Sequence, residues 1–374
     1  MKIQSPNKSP RRTFIKTAGV LALGMPYIIG CKTKPETTKT KDGKLGIALV
    51  GLGNYSKGQL GPALLQTEHC KLAGIVTGTP SKIPEWQEKY AVPDTGVYNY
   101  ENFDEIAKNK AIDIVYVVLP NSMHEEYVIR AAKAGKHVIT EKPMGLNAAS
   151  CQRMIDACDK AGVKLAVGYR CHFEPFNKEM MRLGQNKVYG EIKAIESGFG
   201  FTIGDPTQWR LKKEMAGGGP LMDVGIYSIQ ALCYTTGMLP VALTAIEGKK
   251  TDFQKFSSVE QSLSWEFEFP NGLIGKGKSA YDQNYNFVHA DAEKGWFELT
   301  SAFGYDGLKG ATSDGPMTFS QTREQSAHMD DFSMAIKDRR PSPVSGQMGK
   351  RDLTYIDAIF ESMENGGKRM VLKS

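Results

Sequence analysis

The chain has 374 residues, of which 41% are hydrophobic and 24% charged, with a formal net charge of +6. Five basic residues and no acid precede Cys31, and residues 31–44 add five lysines against Glu36 and Asp42, so the part from Leu45 onward carries −2. The basic balance lies outside that part, which removes charge as an argument for a nucleic-acid partner and leaves about 330 residues, enough for two domains with cores of their own.

Residues 1–30 read as an export address. Ser9-Pro10-Arg11-Arg12-Thr13-Phe14-Ile15-Lys16 pairs two arginines ahead of an apolar run from Ala18 to Gly30. The run is too short and too broken by Gly and Pro to be a comfortable membrane span, and its basic front fits a twin-arginine signal. It ends Ile28-Ile29-Gly30-Cys31, similar to a bacterial lipobox. Cleavage before Cys31 would free a thiol for a lipid; ordinary cleavage nearby is the alternative. The protein is therefore expected in the periplasm or lipid-anchored to the cell envelope, with membrane contact only through that lipid. Residues 31–44 are a Lys/Thr-rich flexible tether without apolar periodicity.

Leu45–Val50 (LGIALV) reads as a strand running into the turn Gly51-Leu52-Gly53-Asn54-Tyr55-Ser56. A helix to about Gln66, a strand at Leu72–Val76 and a helix at Pro80–Tyr90 follow. Then come a short element near Tyr98–Tyr100, a helix at Phe103–Lys108 and the β-branched strand Asp113–Leu119. Helix 122–135, strand His137–Thr140, helix 147–161 and strand Lys164–Gly168 complete the alternation. Strands alternating with helices predict a Rossmann-type, doubly wound parallel sheet over 45–166. Nearly continuous apolar strands are what burial on both faces requires.

From 167 to 374 the pattern changes. EIKAIESGFGF, SVEQSLSWEFEF, LIGKGKSAYD and FVHADAEKGWFELT alternate in polarity, which predicts long strands of an open, mainly antiparallel sheet with one wet face. Asn271-Gly272 is a hairpin signal. Helices are expected at about 175–183, 220–236, 325–338 and 347–363. The fold class is α/β: a Rossmann domain followed by an α+β domain for substrate binding and oligomerisation. Cys70, Cys151, Cys158, Cys171 and Cys233 form an odd set without CxxC spacing, and Cys151 and Cys158 would stand about 10 Å apart along one helix. That is too far to bridge, so buried free thiols are expected.

The glycine turn after the first strand suits a pyrophosphate, because Gly51 and Gly53, with Asn54 and Tyr55, bring backbone N–H groups and a helix N-terminus to one point. Ser56 stands where the third glycine of the fingerprint is usual. The second strand ends Val76-Thr77-Gly78-Thr79-Pro80-Ser81-Lys82, without a carboxylate for a ribose 2′-hydroxyl. Thr77, Gly78 and Lys82 suit a 2′-phosphate instead, which favours NADP and leaves NAD as the alternative. Leu119, Pro120 and Asn121, His124 just beyond them, and Glu141-Lys142-Pro143 fall at the carboxyl edge of the sheet, where open α/β folds bind ligands. The proline biases Lys142 to extended geometry and so into the cleft.

Gly217–Ile229 (GGGPLMDVGIYSI) is a glycine-led apolar helix that carries Asp223 and Tyr227 on one face. Together with GLGNY, VLPNSMH, AGKHVITEKP and GYRCHFEP it resembles the glucose–fructose oxidoreductase / inositol dehydrogenase / MocA family, from about Leu45 to about Phe269. Within that family it resembles the exported glucose–fructose oxidoreductase branch most. The resemblance implies that Lys142, Asp223 and Tyr227 form the catalytic group, and that Arg170, Trp209 and Arg210 contact cofactor or sugar. It also implies that Tyr100 packs near the adenosine side, and that the open sheet makes a dimer or tetramer.

Oxidising a sugar hydroxyl sends a hydride to the nicotinamide and a proton to a base. A phenol with an ordinary pKa near 10 needs a nearby cation to serve as that base. Tyr227 is assigned as acid/base, Lys142 as its electrostatic partner and Asp223 as orienter. His172, without a visible partner, is left as packing, and no ligand spacing points to a metal. The expected activity is oxidation of an aldose at C1 to a lactone on a tightly held NADP, reoxidised by a second sugar such as fructose. Two alternatives stand beside it: an NAD-dependent glycoside hydrolase with transient hydride transfer, and a lipid-tethered sugar-binding protein without turnover.

Overall fold

The computed structural model describes residues 43–320 and 322–372. The twin-arginine signal, most of the tether and Cys31 lie outside the described residues.

The first sheet contains β1 (Leu45–Val50), β2 (Cys70–Val76), β3 (Val97–Tyr98), β4 (Ile114–Val117), β5 (His137–Thr140) and β6 (Leu165–Val167). All pair in parallel, in the order β3-β2-β1-β4-β5-β6. Order reverses between β1 and β4, so a crevice opens at their carboxyl ends, where such sheets bind ligands. Both strands are buried along their whole length, which explains their unbroken apolar runs. Helices α1 (Gly61–Leu64), α2 (Ile83–Tyr90), α3 (Asn121–Lys133) and α4 (Ala148–Ala161) make the crossovers. The stretch expected to be helical as far as Gln66 begins with a π-wound segment, Ser56–Leu60, before α1.

The second sheet runs in the order β14-β13-β12-β11-β7-β10-β9-β8-β15. Its strands are β7 (Ile192–Gly200), β8 (Ala242–Glu247), β9 (Ser262–Glu268), β10 (Ile274–Ala280), β11 (Tyr285–Ala292), β12 (Gly295–Leu299), β13 (Gly310–Thr312), β14 (Gly315–Pro316) and β15 (Met370–Val371). In β9 the residues Leu263, Trp265 and Phe267 point inward while their neighbours face outward, the alternation of a half-buried sheet. Two points differ from the sequence reading. FVHADAEKGWFELT is a hairpin of β11 and β12, because the charged pair Glu293-Lys294 makes a two-residue turn between Ala292 and Gly295. β7 and β10 pair in parallel, since alternation reports one wet face and not strand direction.

Helices α5 (Pro175–Gln185), α6 (Lys213–Ala216) and α7 (Ile226–Thr236) belong to this half, and α7 lies against β7 and β10. The helix expected over 220–236 has a π-wound first part, Leu221–Gly225. π-turns inside helices occur often at functional sites. Both π segments among the described residues lie beside the crevice. Helices α8 (Glu324–Lys337) and α9 (Gly346–Glu364) follow β14 in the chain and reach back to the first domain, α9 lying between α4 of that domain and β8 of the second sheet. Asp330 accepts from the Glu68 and His69 backbone N–H groups (2.7–3.1 Å), Ser326 donates to Ala63 O (2.8 Å), and Asp357 accepts from Ala148 N (2.9 Å). Cys70, Cys151, Cys158, Cys171 and Cys233 are all buried and free, as their spacing predicted.

Candidate active site

The glycine turn has the backbone its residues require. Gly51 holds φ at +96°, and a Cβ there would stand 2.3 Å from Val118 O. Above Gly53 there is open space, with no atom within 4 Å of a hypothetical Cβ. Ser56, in place of the third glycine, is buried and donates its hydroxyl to Gly51 O at 2.6 Å, so the substitution ties the turn together. At the end of β2, Thr77 accepts from Thr79 N (3.1 Å) and Lys82 donates to Leu52 O (2.8 Å), which lays the lysine against the glycine turn. The Tyr100 ring closes over Gly78, 2.8 Å from where a Cβ would sit, and meets Tyr127 edge-on at 5.5 Å.

A cavity of about 320 Å³ opens between this edge and the π-wound start of the α7 helix. Gly53, Asn54, Tyr55, Leu119, Pro120, Asn121 and Glu141 line its first-domain side. Trp209, Arg210, Asp223 and Tyr227 line the opposite side, and Lys142, from the end of β5, reaches across to Asp223 and Tyr227. Glu141 is buried and accepts from Tyr116 (2.6 Å) and from Lys142 N (3.2 Å), and its burial pushes the carboxyl pKa up. Asn121 is tied to Ala216 O at 2.8 Å, linking α3 to α6.

Asp223 is the anionic centre of the cleft. Arg210 Nε lies 3.1 Å and the Tyr281 hydroxyl 3.0 Å from Oδ2, and Lys142 Nζ stands 3.6 Å from Oδ1. Lys142 also donates to the Asp223 main-chain oxygen at 2.6 Å. Burial alone would raise the carboxyl pKa. The Arg210 and Lys142 charges, with the Tyr281 hydrogen bond, overcome that and hold it below the usual carboxylate range. The segment that carries Asp223 is itself anchored by Glu260, a buried carboxylate that accepts from Gly219 N (2.9 Å) and Leu221 N (3.1 Å). A negative charge there offsets the unpaired N–H groups of a helix start.

At Tyr227 the structure corrects the expected pairing. Lys142 Nζ sits over the ring, 4.7 Å from its centroid, rather than at the hydroxyl. The hydroxyl instead takes a hydrogen bond from Arg170 Nε at 3.2 Å. Burial pushes the Tyr227 pKa up, and the Arg170 charge offsets only part of that rise. Phe199 and Phe303 flank the ring at 5.6 and 5.5 Å.

Two residues expected to contact cofactor or sugar lie behind the cleft wall. Arg170 is 3% exposed, and His124 is fully buried between Leu119 O (2.8 Å) and Pro143 O (2.9 Å), bracing two strand ends. Their local motifs place them at the right edge of the sheet but do not tell a lining residue from a supporting one. His172 bonds Gln230 at 2.7 Å in the interior, in keeping with packing. Sequence reasoning missed Glu260, Tyr281, Phe303, Tyr305 and Glu324. Each is distant in the chain from the residue it serves, and none carries a local pattern. No cluster of three or more His, Cys, Asp or Glu suited to a metal occurs among the described residues.

Comparison with known proteins gives a consistent picture. Residues 45–169 match the model described as an oxidoreductase family with an NAD-binding Rossmann fold, and 178–298 match the C-terminal domain that accompanies it. D-xylose 1-dehydrogenase [NADP(+)] of Haloarcula marismortui is 30% identical, over 88% of this chain and 93% of that one. The crystal structure of an aldose–aldose oxidoreductase from Caulobacter crescentus, complexed with glycerol, is 40% identical with a TM-score of 0.86, covering 88% of this chain and 100% of that one. Levoglucosan dehydrogenase in complex with NADH and levoglucosan, 20% identical, shares the fold at a TM-score of 0.75, over 88% of this chain and 100% of that one.

Proposed function

The chain belongs to the Gfo/Idh/MocA oxidoreductase family, and on that premise we propose that it is an NADP-dependent sugar oxidoreductase that oxidises an aldose at C1 to the lactone. The observation that carries this reading is the meeting of Lys142, Asp223 and Tyr227 in one cleft of about 320 Å³ that the glycine turn also lines. Relatives that act on xylose with NADP, or on aldoses, support the sugar class.

The residues fit a nicotinamide dinucleotide. Gly53 leaves room for a pyrophosphate that any side chain would fill. Thr77, Gly78 and Lys82 offer a hydroxyl and a cation, with no carboxylate to repel a 2′-phosphate. Tyr100 would cover the adenosine side, and Leu119, Pro120, Asn121 and Glu141 the nicotinamide side. When bound, the nicotinamide supplies the hydride acceptor.

The chain's own residues do the rest. Lys142 holds a sugar hydroxyl oxygen by charge and is itself oriented by Asp223. Ionised Asp223 accepts from a second hydroxyl, and Trp209 with Arg210 closes the sugar side and keeps water out. Tyr227 removes the hydroxyl proton as the carbonyl forms, and returns a proton when a second sugar, such as fructose, is reduced. Export by the twin-arginine route, with a lipid on Cys31 or free in the periplasm, accords with a cofactor loaded before export and then kept. The open face of the second sheet offers the surface for a dimer or tetramer.

Mass spectrometry of the nucleotide released from the purified full-length protein, followed by a screen of aldoses, tests this reading. The expected result is NADP and a lactone product. Recovery of NAD would overturn the cofactor assignment, and folded protein inert to every aldose would overturn the activity.

A further inference from the structure

Arg170 and Glu324 form a buried ion pair that lies behind the cleft and lines none of its cavity. Arg170 Nη1 meets Glu324 Oε1 at 2.8 Å, and the two side chains are 4% and 3% exposed. The same guanidinium donates to Gly304 O (3.0 Å) and Phe303 O (2.5 Å), and lies 4.3 Å from the Tyr305 ring centroid. Its Nε–H remains, and it points at the Tyr227 hydroxyl. A buried pair of this kind adds little net stability, because desolvation offsets the attraction. What it supplies here is aim: a planar cation with fixed N–H directions is held so that one of them addresses a phenol oxygen.

We propose that Glu324, on the first turn of α8, is a positioning residue for proton transfer, which through Arg170 sets how readily Tyr227 ionises. As a sugar O–H proton passes to the Tyr227 oxygen, the Arg170 Nε–H weakens its bond to that oxygen, and the reverse step strengthens it. Glu324 does two things. It fixes the guanidinium, and its negative charge tempers the cation so that the tyrosinate stays basic enough to take a proton. The other groups facing Tyr227 are Lys142 and Glu141 from the end of β5, Tyr116 from β4, Cys171 beside Arg170, Tyr305 from the loop after β12 and Tyr55 from the glycine turn; Glu174 faces Glu324. The inference rests on the reading of Tyr227 as the acid/base.

The test places 3,5-difluorotyrosine at position 227 and follows its ionisation by fluorine NMR in the full-length protein as purified with its cofactor, alongside the pH profile of kcat/KM for aldose oxidation. Two backgrounds are compared with the parent. Glu324→Gln keeps an acceptor for Arg170 but removes the charge, so the titration should move to lower pH. Arg170→Met with Glu324→Leu replaces the pair by apolar groups that can fold, and the titration should move up by about 1–3 pH units. Shifts in opposite directions, mirrored in the rising limb of the profile, are expected; a merely structural pair would give neither. An unchanged titration in both backgrounds overturns the inference. A titration that shifts while the kinetic profile stays fixed keeps the coupling and overturns the role of Tyr227 as base instead.

Discussion

Replacing Tyr227 by Phe should lower kcat for aldose oxidation by about 100- to 10,000-fold, the usual worth of a positioned acid/base, with little change in KM for the sugar. Only the hydroxyl is lost. The ring keeps its place between Phe199 and Phe303 and under Lys142. Arg170 Nε is left without its acceptor inside the protein, so unfolding free energy should drop by about 1–3 kcal/mol and the fold should persist. The sign of the pH dependence follows from the same site. Burial holds the Tyr227 pKa above its ordinary value, so the tyrosinate fraction, and with it oxidation, should climb as pH rises. Tyr227→Phe should flatten that limb. Steady-state kinetics across pH, with denaturation of the same samples, checks all three outcomes; a variant that retains parental kcat removes Tyr227 from the chemistry.

Lys142→Met is expected to lower kcat/KM by about 100- to 1,000-fold, or about 3–4 kcal/mol of transition-state stabilisation. Lys142 is the cleft cation that lies beside both Asp223 and Tyr227, whereas Arg170 is committed behind Tyr227. Stability should change little, because Asp223 keeps Arg210 and Tyr281 as partners after the lysine is gone. Lys142→Arg should not restore activity. A forked guanidinium cannot both donate to the Asp223 main-chain oxygen from that position and stay over the Tyr227 ring as a compact ammonium does. Full activity in Lys142→Arg would reduce the role of Lys142 to simple charge.

Local chemistry accounts for what could be read from the chain before its folding was known. The strands of the first sheet are legible because two-sided burial leaves continuous apolar runs, and the glycine turn because Gly51 occupies a conformation that other residues resist. Lys142, Asp223 and Tyr227 are legible because each sits in a motif tied to a strand end or a helix start. The second sheet was less so: β7 finds β10, some eighty residues away, in parallel, and nothing local specifies that pairing. The supporting charges were hidden for the same reason. Glu260 at the segment that carries Asp223 and Glu324 behind Arg170 are acids in ordinary surroundings along the chain, and only tertiary packing buries them against their partners. That packing also redirected one assignment, since the cation at the Tyr227 hydroxyl is Arg170 and Lys142 takes the ring face.

Deuterium transfer tests the central claim most directly. The purified protein, supplied with NADP and an aldose deuterated at C1, should yield reduced cofactor carrying that deuterium, together with the lactone. Release of free sugar from a glycoside without net oxidation, and no deuterium retained in the cofactor, would contradict the account and establish hydrolysis with transient hydride transfer in its place.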